Sequence, residues 1–260
     1  MPSLGQHMVR ARVIAERLRA PQIDALRGVY YLGATAPDIR VITRRERIHT
    51  HFFDLECLDV QDSVAKMFEA HPGLATPGEL DAMTRAFMAG FITHLVFDQT
   101  YIETMYRDFF GARSSMVADP FANVLDRALQ FELNRRELED ATALGEILRE
   151  VEDCETSTAV GFIEDAYLAQ WREVIVDFAR QGPTWDRFPR MMNMHLRRAG
   201  LTDDEIEQHS KDGPMLAQRS LDYVSEARVA RFVEEATAQA EARVARYLEL
   251  PSATEPGRSS

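Results

Sequence analysis

Cysteine is nearly absent: Cys57 and Cys154 are the only two in 260 residues. They stand far apart and form no CxxC pair, which excludes a disulfide framework and leaves two buried thiols as the expectation. Runs of β-branched residues are scarce too, while Ala, Leu, Arg, Glu and Met dominate, a composition that favours helices over strands. No apolar run approaches the ~18 residues that a membrane-crossing helix needs. The opening MPSLGQHMVRARVIAERL lacks the apolar centre of a secretory signal, so a soluble, cytoplasmic protein is expected. An excess of basic charge is also missing. The net charge of −12 leaves no basic face for nucleic-acid phosphates or for electrostatic docking on anionic lipid. An anionic substrate would have to be met by a bound cation.

What the chain does have is apolar bulk. Hydrophobic residues make up 45%, enough to bury one large core. No repeat, low-complexity block or shift in composition divides the sequence. The expectation is an all-α, single helical-bundle domain over residues 1–250, with PSATEPGRSS, 251–260, as a disordered tail. Apolar periodicity predicts helices at 8–19, from Pro21 through IDALRGVYYL, about 78–110, roughly 121–150, 158–181, 186–199 and about 213–249. Gly33 and Pro37 are read as breaks that make GATAPDIR irregular, Thr50 as a cap within RRERIHTHFFDLECLDV, and HPGLATPGEL as a loop.

The central helix carries the functional signal. FITHLVFDQTY, residues 91–101, is apolar on nearly every side yet holds His94 and Asp98 one helical turn apart. A buried carboxylate without a partner costs several kcal/mol, so both groups must be satisfied. They either satisfy each other or grip a metal ion together. Further histidines and an aspartate stand at loops and helix starts: His7 ahead of the first helix, His49 and His51 around Thr50, and Asp38 in APD. Nitrogen and oxygen donors without cysteine suit a borderline divalent cation. His71, His195 and His209 read as solvated or packed residues, and MMNM, Trp171, Trp185 and Phe188 as core or as the wall of an apolar pocket. Val229, Phe232, Val233 and Val244 form a stripe on the last helix, which either packs on its own domain or docks a second subunit in a homodimer.

Four segments, MPSLGQH, YYLGATAPDI, THFFD and AGFITHLVFDQTY, occur in order over residues 1–101. In that order they resemble the zinc-dependent phospholipase C family, which shares its helical fold with the S1/P1-type nucleases. The resemblance implies metal ligation by Asp38, His51, His94 and Asp98, with His7 completing a neighbouring site that shares Asp98. It favours His51 over His49 because THFF is the matching stretch. The chain departs from the family after Asp98: QTYIETMYRD contains no histidine, and Glu132, which could stand for a family glutamate, has Ala128 four residues earlier. One or two zinc or other divalent ions are therefore expected rather than three, with His49, Glu103 and Glu132 as alternative or outer ligands.

The implied activity is a metal-dependent hydrolase that attacks a phosphoester of a small or lipid-like molecule through an activated water. Asp38 would act as general base or hold that water. A metal-dependent lyase, cyclase or non-phosphate hydrolase of a bacterial biosynthetic pathway, and a metal-stabilised interaction protein without chemistry, are the alternatives.

Overall fold

The protein is described here from a computed structural model over residues 2–119, 121–182, 184–189, 193, 196, 197 and 201–251, without the side chains of 208–211. Ten α-helices of eight residues or more lie among them: α1 Leu4–Leu18, α2 Arg27–Thr35, α3 Ser63–Ala70, α4 Ala82–Tyr101, α5 Ala122–Glu137, α6 Ala141–Glu152, α7 Asp165–Arg180, α8 Asp203–Lys211, α9 Gly213–Val224 and α10 Glu226–Tyr247. No strand occurs among the described residues, so the fold is all-α, as the composition predicts.

Capping chemistry accounts for most of the boundaries that periodicity misplaces. Asp81 accepts hydrogen bonds from the Thr84 amide and hydroxyl at 2.8 and 2.6 Å. This satisfies donors that an α-helix start leaves open and begins α4 at Ala82, later than expected. The expected helix 121–150 is two, because Asp140 caps α6 through the Thr142 and Ala143 amides. The expected helix 213–249 is also two, divided at Ser225, where φ is 77°. Asp62 opens α3 by accepting from the Ala65 amide, an element that periodicity did not single out. The loop 71–80 holds two single turns of 3₁₀ helix. At its far end α4 widens into a π-helical segment, Ile102–Phe110. Half of the expected helix 186–199, including Met191, Met192, Met194 and His195, falls outside the described residues. The tail 252–260 and the side chain of His209 lie outside them as well.

Gly33 does not break its helix. It lies within α2, where it meets α4. A Cβ on Gly33 would collide with the Phe87 carbonyl, and one on Gly90 with the Tyr30 carbonyl. The two glycines face each other's helix, so the backbones of α2 and α4 approach more closely than any side chain would allow. GATAPDIR is accordingly helical, passing from α2 through a 3₁₀ turn, Ala36–Ile39, into the short helix Arg40–Thr43.

On the other half of α4, α10 closes a hydrophobic cluster distinct from the one around α2. Phe232 meets Phe97 and Tyr101 edge-on at 5.2 and 5.3 Å. Val229, Phe232 and Val244 are buried and Val233 partly so. The stripe is spent within the domain, so it offers no face for a homodimer. Trp171 is also core, its Nε1 donating to the Thr35 hydroxyl at 3.2 Å. Trp185 packs on Phe131 and Phe188 rather than lining a site pocket. Cys154 is buried as expected, while Cys57 is only half-buried. No helix among the described residues is long and apolar enough to cross a membrane.

Candidate metal centre

Four chain segments deliver five side chains to one place inside the bundle. α4 supplies His94 and Asp98 from a single face. α1 supplies His7, which lies inside the helix rather than ahead of it. Its N-terminal turn is moored by Asn134, whose Oδ1 accepts from the Ser3 hydroxyl and the Gly5 amide at 2.6 and 2.9 Å. Asp38 comes from the Pro37-initiated 3₁₀ turn. His51 ends the four-residue helix Ile48–His51, which Phe52 terminates in the left-handed region at φ 52°. A non-glycine residue there is uncommon and is held by surrounding packing; Phe52 is buried against Phe91 and Phe162.

His7, His51, His94 and Asp98 are almost wholly buried, whereas Asp38 keeps about a quarter of its side chain exposed (26%). Asp98 turns one oxygen to each side. Its Oδ1 lies 3.3 Å from His7 Nε2, and its Oδ2 lies 3.4 Å from His51 Nε2 and 3.8 Å from His94 Nε2. His51 Nε2 is also 3.5 Å from Asp38 Oδ1. Donor atoms of His7, His94 and Asp98 lie within 4.8 Å of one another, as do those of Asp38, His51 and His94. His94 thus belongs to both groups, and Asp98 faces both through its two oxygens.

These separations show which groups could share a cation. His7 Nε2, His51 Nε2, His94 Nε2 and Asp98 Oδ1 are buried with no hydrogen-bond partner, a costly state if permanent. The other nitrogens explain why two of the Nε2 atoms bear lone pairs. His94 Nδ1 lies 2.9 Å from the Ala34 carbonyl, which can only accept, so Nδ1 carries the proton. His51 Nδ1 lies 2.9 Å from the Thr50 hydroxyl. That hydroxyl donates to the Arg47 carbonyl, which leaves its oxygen to accept from His51. Thr50 is therefore an orienting partner of His51, not a helix cap. Lone pairs aimed at carboxylate oxygens repel unless positive charge lies between them. Tetrahedral bonds of ~2.1 Å put neighbouring ligand atoms about 3.4 Å apart, close to the 3.3–3.5 Å found for three of the four pairs. The donor set fits a divalent cation, and the outer hydrogen bonds to Ala34 and Thr50 are of the kind that orient metal-binding imidazoles.

The electrostatics agree. Burial alone would raise the Asp38 carboxyl, but the facing His51, with His94 and His7 behind it, brings it down to about 2. Asp98, despite its burial, is held well below the usual carboxylate range by His7, His94, Arg47 and His51. Burial lowers His94 to about 3, helped by the adjoining His7 imidazole, and burial lowers His51 as well. Two ionised carboxylates and neutral His51 and His94 are the protonation states that metal binding requires.

Arg47 is the site residue that sequence analysis missed. Its Nη2 donates to Asp98 Oδ2 at 2.6 Å, and only 11% of its side chain is exposed. Within the run RRERIH it reads as one more solvated charge. Its spacing of four from His51, one helical turn, was the available signal.

The alternative ligands do not join the cluster. His49 is exposed beside Glu46; it lines an open cavity of about 670 Å³ with Phe52, His71 and Phe162. Glu132 is engaged by Arg135 and Arg136 at 2.8 Å. Glu103 accepts from the Gln99 amide at 3.2 Å. No family model, curated protein or solved structure matches the chain.

Proposed function

We propose that the protein is a divalent-metal-dependent hydrolase acting on a phosphoester, with zinc the first candidate ion. One observation carries the reading: three buried Nε2 atoms and a buried carboxylate oxygen without partners converge, while the facing Asp38 stays partly open to solvent. Structural metal sites close their coordination with protein ligands, whereas catalytic ones keep a position open.

Two overlapping groups would hold the ion or ions, His7 with His94 and Asp98, and His51 with His94 and Asp38, the last at the open side. A divalent ion there supplies Lewis acidity, stabilising charge that develops on a phosphoryl oxygen and raising the acidity of water. The chain's own residues do the rest. Ala34 and Thr50 fix His94 and His51 through their Nδ1 atoms, so reacting groups meet a preorganised frame. Asp38, ionised at any working pH, accepts a hydrogen bond from the attacking water and aims it. Its low basicity suits orientation better than outright proton removal. The buried walls exclude bulk water on the other sides.

The test is elemental analysis of protein purified without a polyhistidine tag, paired with a phosphomonoester and phosphodiester screen. Near-stoichiometric metal, and turnover lost in Asp38→Asn while metal is retained, are expected. Protein that takes up no divalent ion overturns the reading. Metal without turnover on any phosphoester, combined with unfolding on chelation, would make the ion structural.

A further inference from the structure

Arg47 has more hydrogen-bonding capacity than its surroundings use. One nitrogen, Nη2, holds Asp98. Nε and Nη1 are buried without a partner. A guanidinium that has lost most of its water and keeps two unpaired donor nitrogens is costly, and planar oxyanions are what its geometry fits best. A second guanidinium belongs to the stretch of chain that follows Asp38. Arg40, two residues beyond Asp38, also has a buried Nε without a partner. Its positive charge is among the influences that lower Arg47, after burial and against the opposing pull of Asp98 and Asp38. Internal ion pairing therefore explains only part of why these cations are here.

Charge balance says what they await. The Asp38 and Asp98 carboxylates offset the Arg40 and Arg47 guanidiniums, so one bound divalent ion leaves two positive charges uncompensated. A phosphodiester brings one negative charge. A phosphomonoester brings nearly two at neutral pH.

We infer that Arg47, seconded by Arg40, is the phosphoryl-binding residue of the site and that the site selects a phosphomonoester dianion. This rests on the metal-site reading above. Arg47 keeps Asp98 in place with one nitrogen and offers its remaining donors to the non-reacting phosphoryl oxygens, while Asp38 faces the water.

Calorimetric titration of the metal-loaded, untagged protein with inorganic phosphate and with dimethyl phosphate tests this. Phosphate should bind at pH 7.5 at least about tenfold more tightly than the diester, and that preference should shrink as phosphate becomes a monoanion near pH 6. Arg47→Gln should weaken phosphate about 10- to 100-fold, the worth of one charge-assisted hydrogen bond, with metal content unchanged. Arg40→Gln should weaken it less. Should Arg47→Gln bind poorly because it misfolds, its helical circular dichroism and metal content would show it, and Arg47→Lys decides: charge without the planar fork should recover binding only in part. Equal affinity for the diester, or phosphate affinity unmoved in Arg47→Gln while metal affinity rises, overturns the inference and makes Arg47 a counter-ion for Asp98. A protein that takes up no divalent ion overturns the metal-site reading first, and with it the charge balance used here.

Discussion

His7 stacks on His94, their ring centroids 3.6 Å apart and their planes within 13°. Two imidazoles in that contact cannot both be protonated without strong repulsion, and burial holds His94 neutral down to about pH 3. Acid should therefore act on this protein through its centre. In the unfolded chain His94 and His51 take up protons below about pH 6.5, whereas in the native state they resist. The unfolded state thus binds more protons, and stability falls as pH drops from 6.5 towards the native value. Each imidazole contributes a slope of up to about 1.4 kcal/mol per pH unit. Asp38, lowered to about 2, adds the same sign of effect below its unfolded value near 3.8. Urea unfolding of metal-free protein at pH 7.5, 6 and 5 measures this. A flat profile would mean that the histidines titrate in the fold as they do in the unfolded chain.

Asp98→Asn should cost about 3–5 kcal/mol in metal-free protein, because it removes the carboxylate that faces buried Arg47. Denaturant titration reads the loss. A decrease below 1 kcal/mol would show that Arg47 finds another partner or water.

His51→Ala should abolish tight metal binding, and His49→Ala should leave it unchanged, since one is enclosed with Asp38 and Asp98 and the other stands exposed beside Glu46. Competitive titration against a metal indicator separates the two variants. Equal loss in both would place the ion outside this cluster.

The helix crossing should be intolerant of a single methyl group. Gly90→Ala sets a Cβ against the Tyr30 carbonyl, an overpacking expected to cost about 1–3 kcal/mol or more. Gly145→Ala, within α6 and with nothing close to its added carbon, should instead stabilise by about 0.5–1 kcal/mol. Thermal unfolding compares them, and the midpoints should move in opposite directions.

Different physics decided which parts could be read from the sequence. His94 and Asp98 were legible because polar groups one turn apart in a helix apolar all round need an explanation that lies within the helix. His7, Asp38 and His51 were legible only as an ordered set of short segments, since each alone is an ordinary polar residue near a helix end. Arg47 was not legible, because a long flexible cation inside RRER takes its meaning from where the fold points it. The divisions at Asp140 and Ser225 depend on side chains bonding to backbone amides two or three residues on. Hydrophobic periodicity does not register such bonds. Gly33 was misread for a related reason: it permits a close crossing instead of a turn.

That crossing reaches the chemistry directly. Ala34 sits next to Gly33, and its carbonyl meets the His94 ring only because the two backbones nearly touch. The glycine pair thereby selects a tautomer: it pins the hydrogen to the outer nitrogen and turns the basic one inward. A methyl at the crossing would be felt twice, once as lost packing and again as an imidazole free to present the wrong atom.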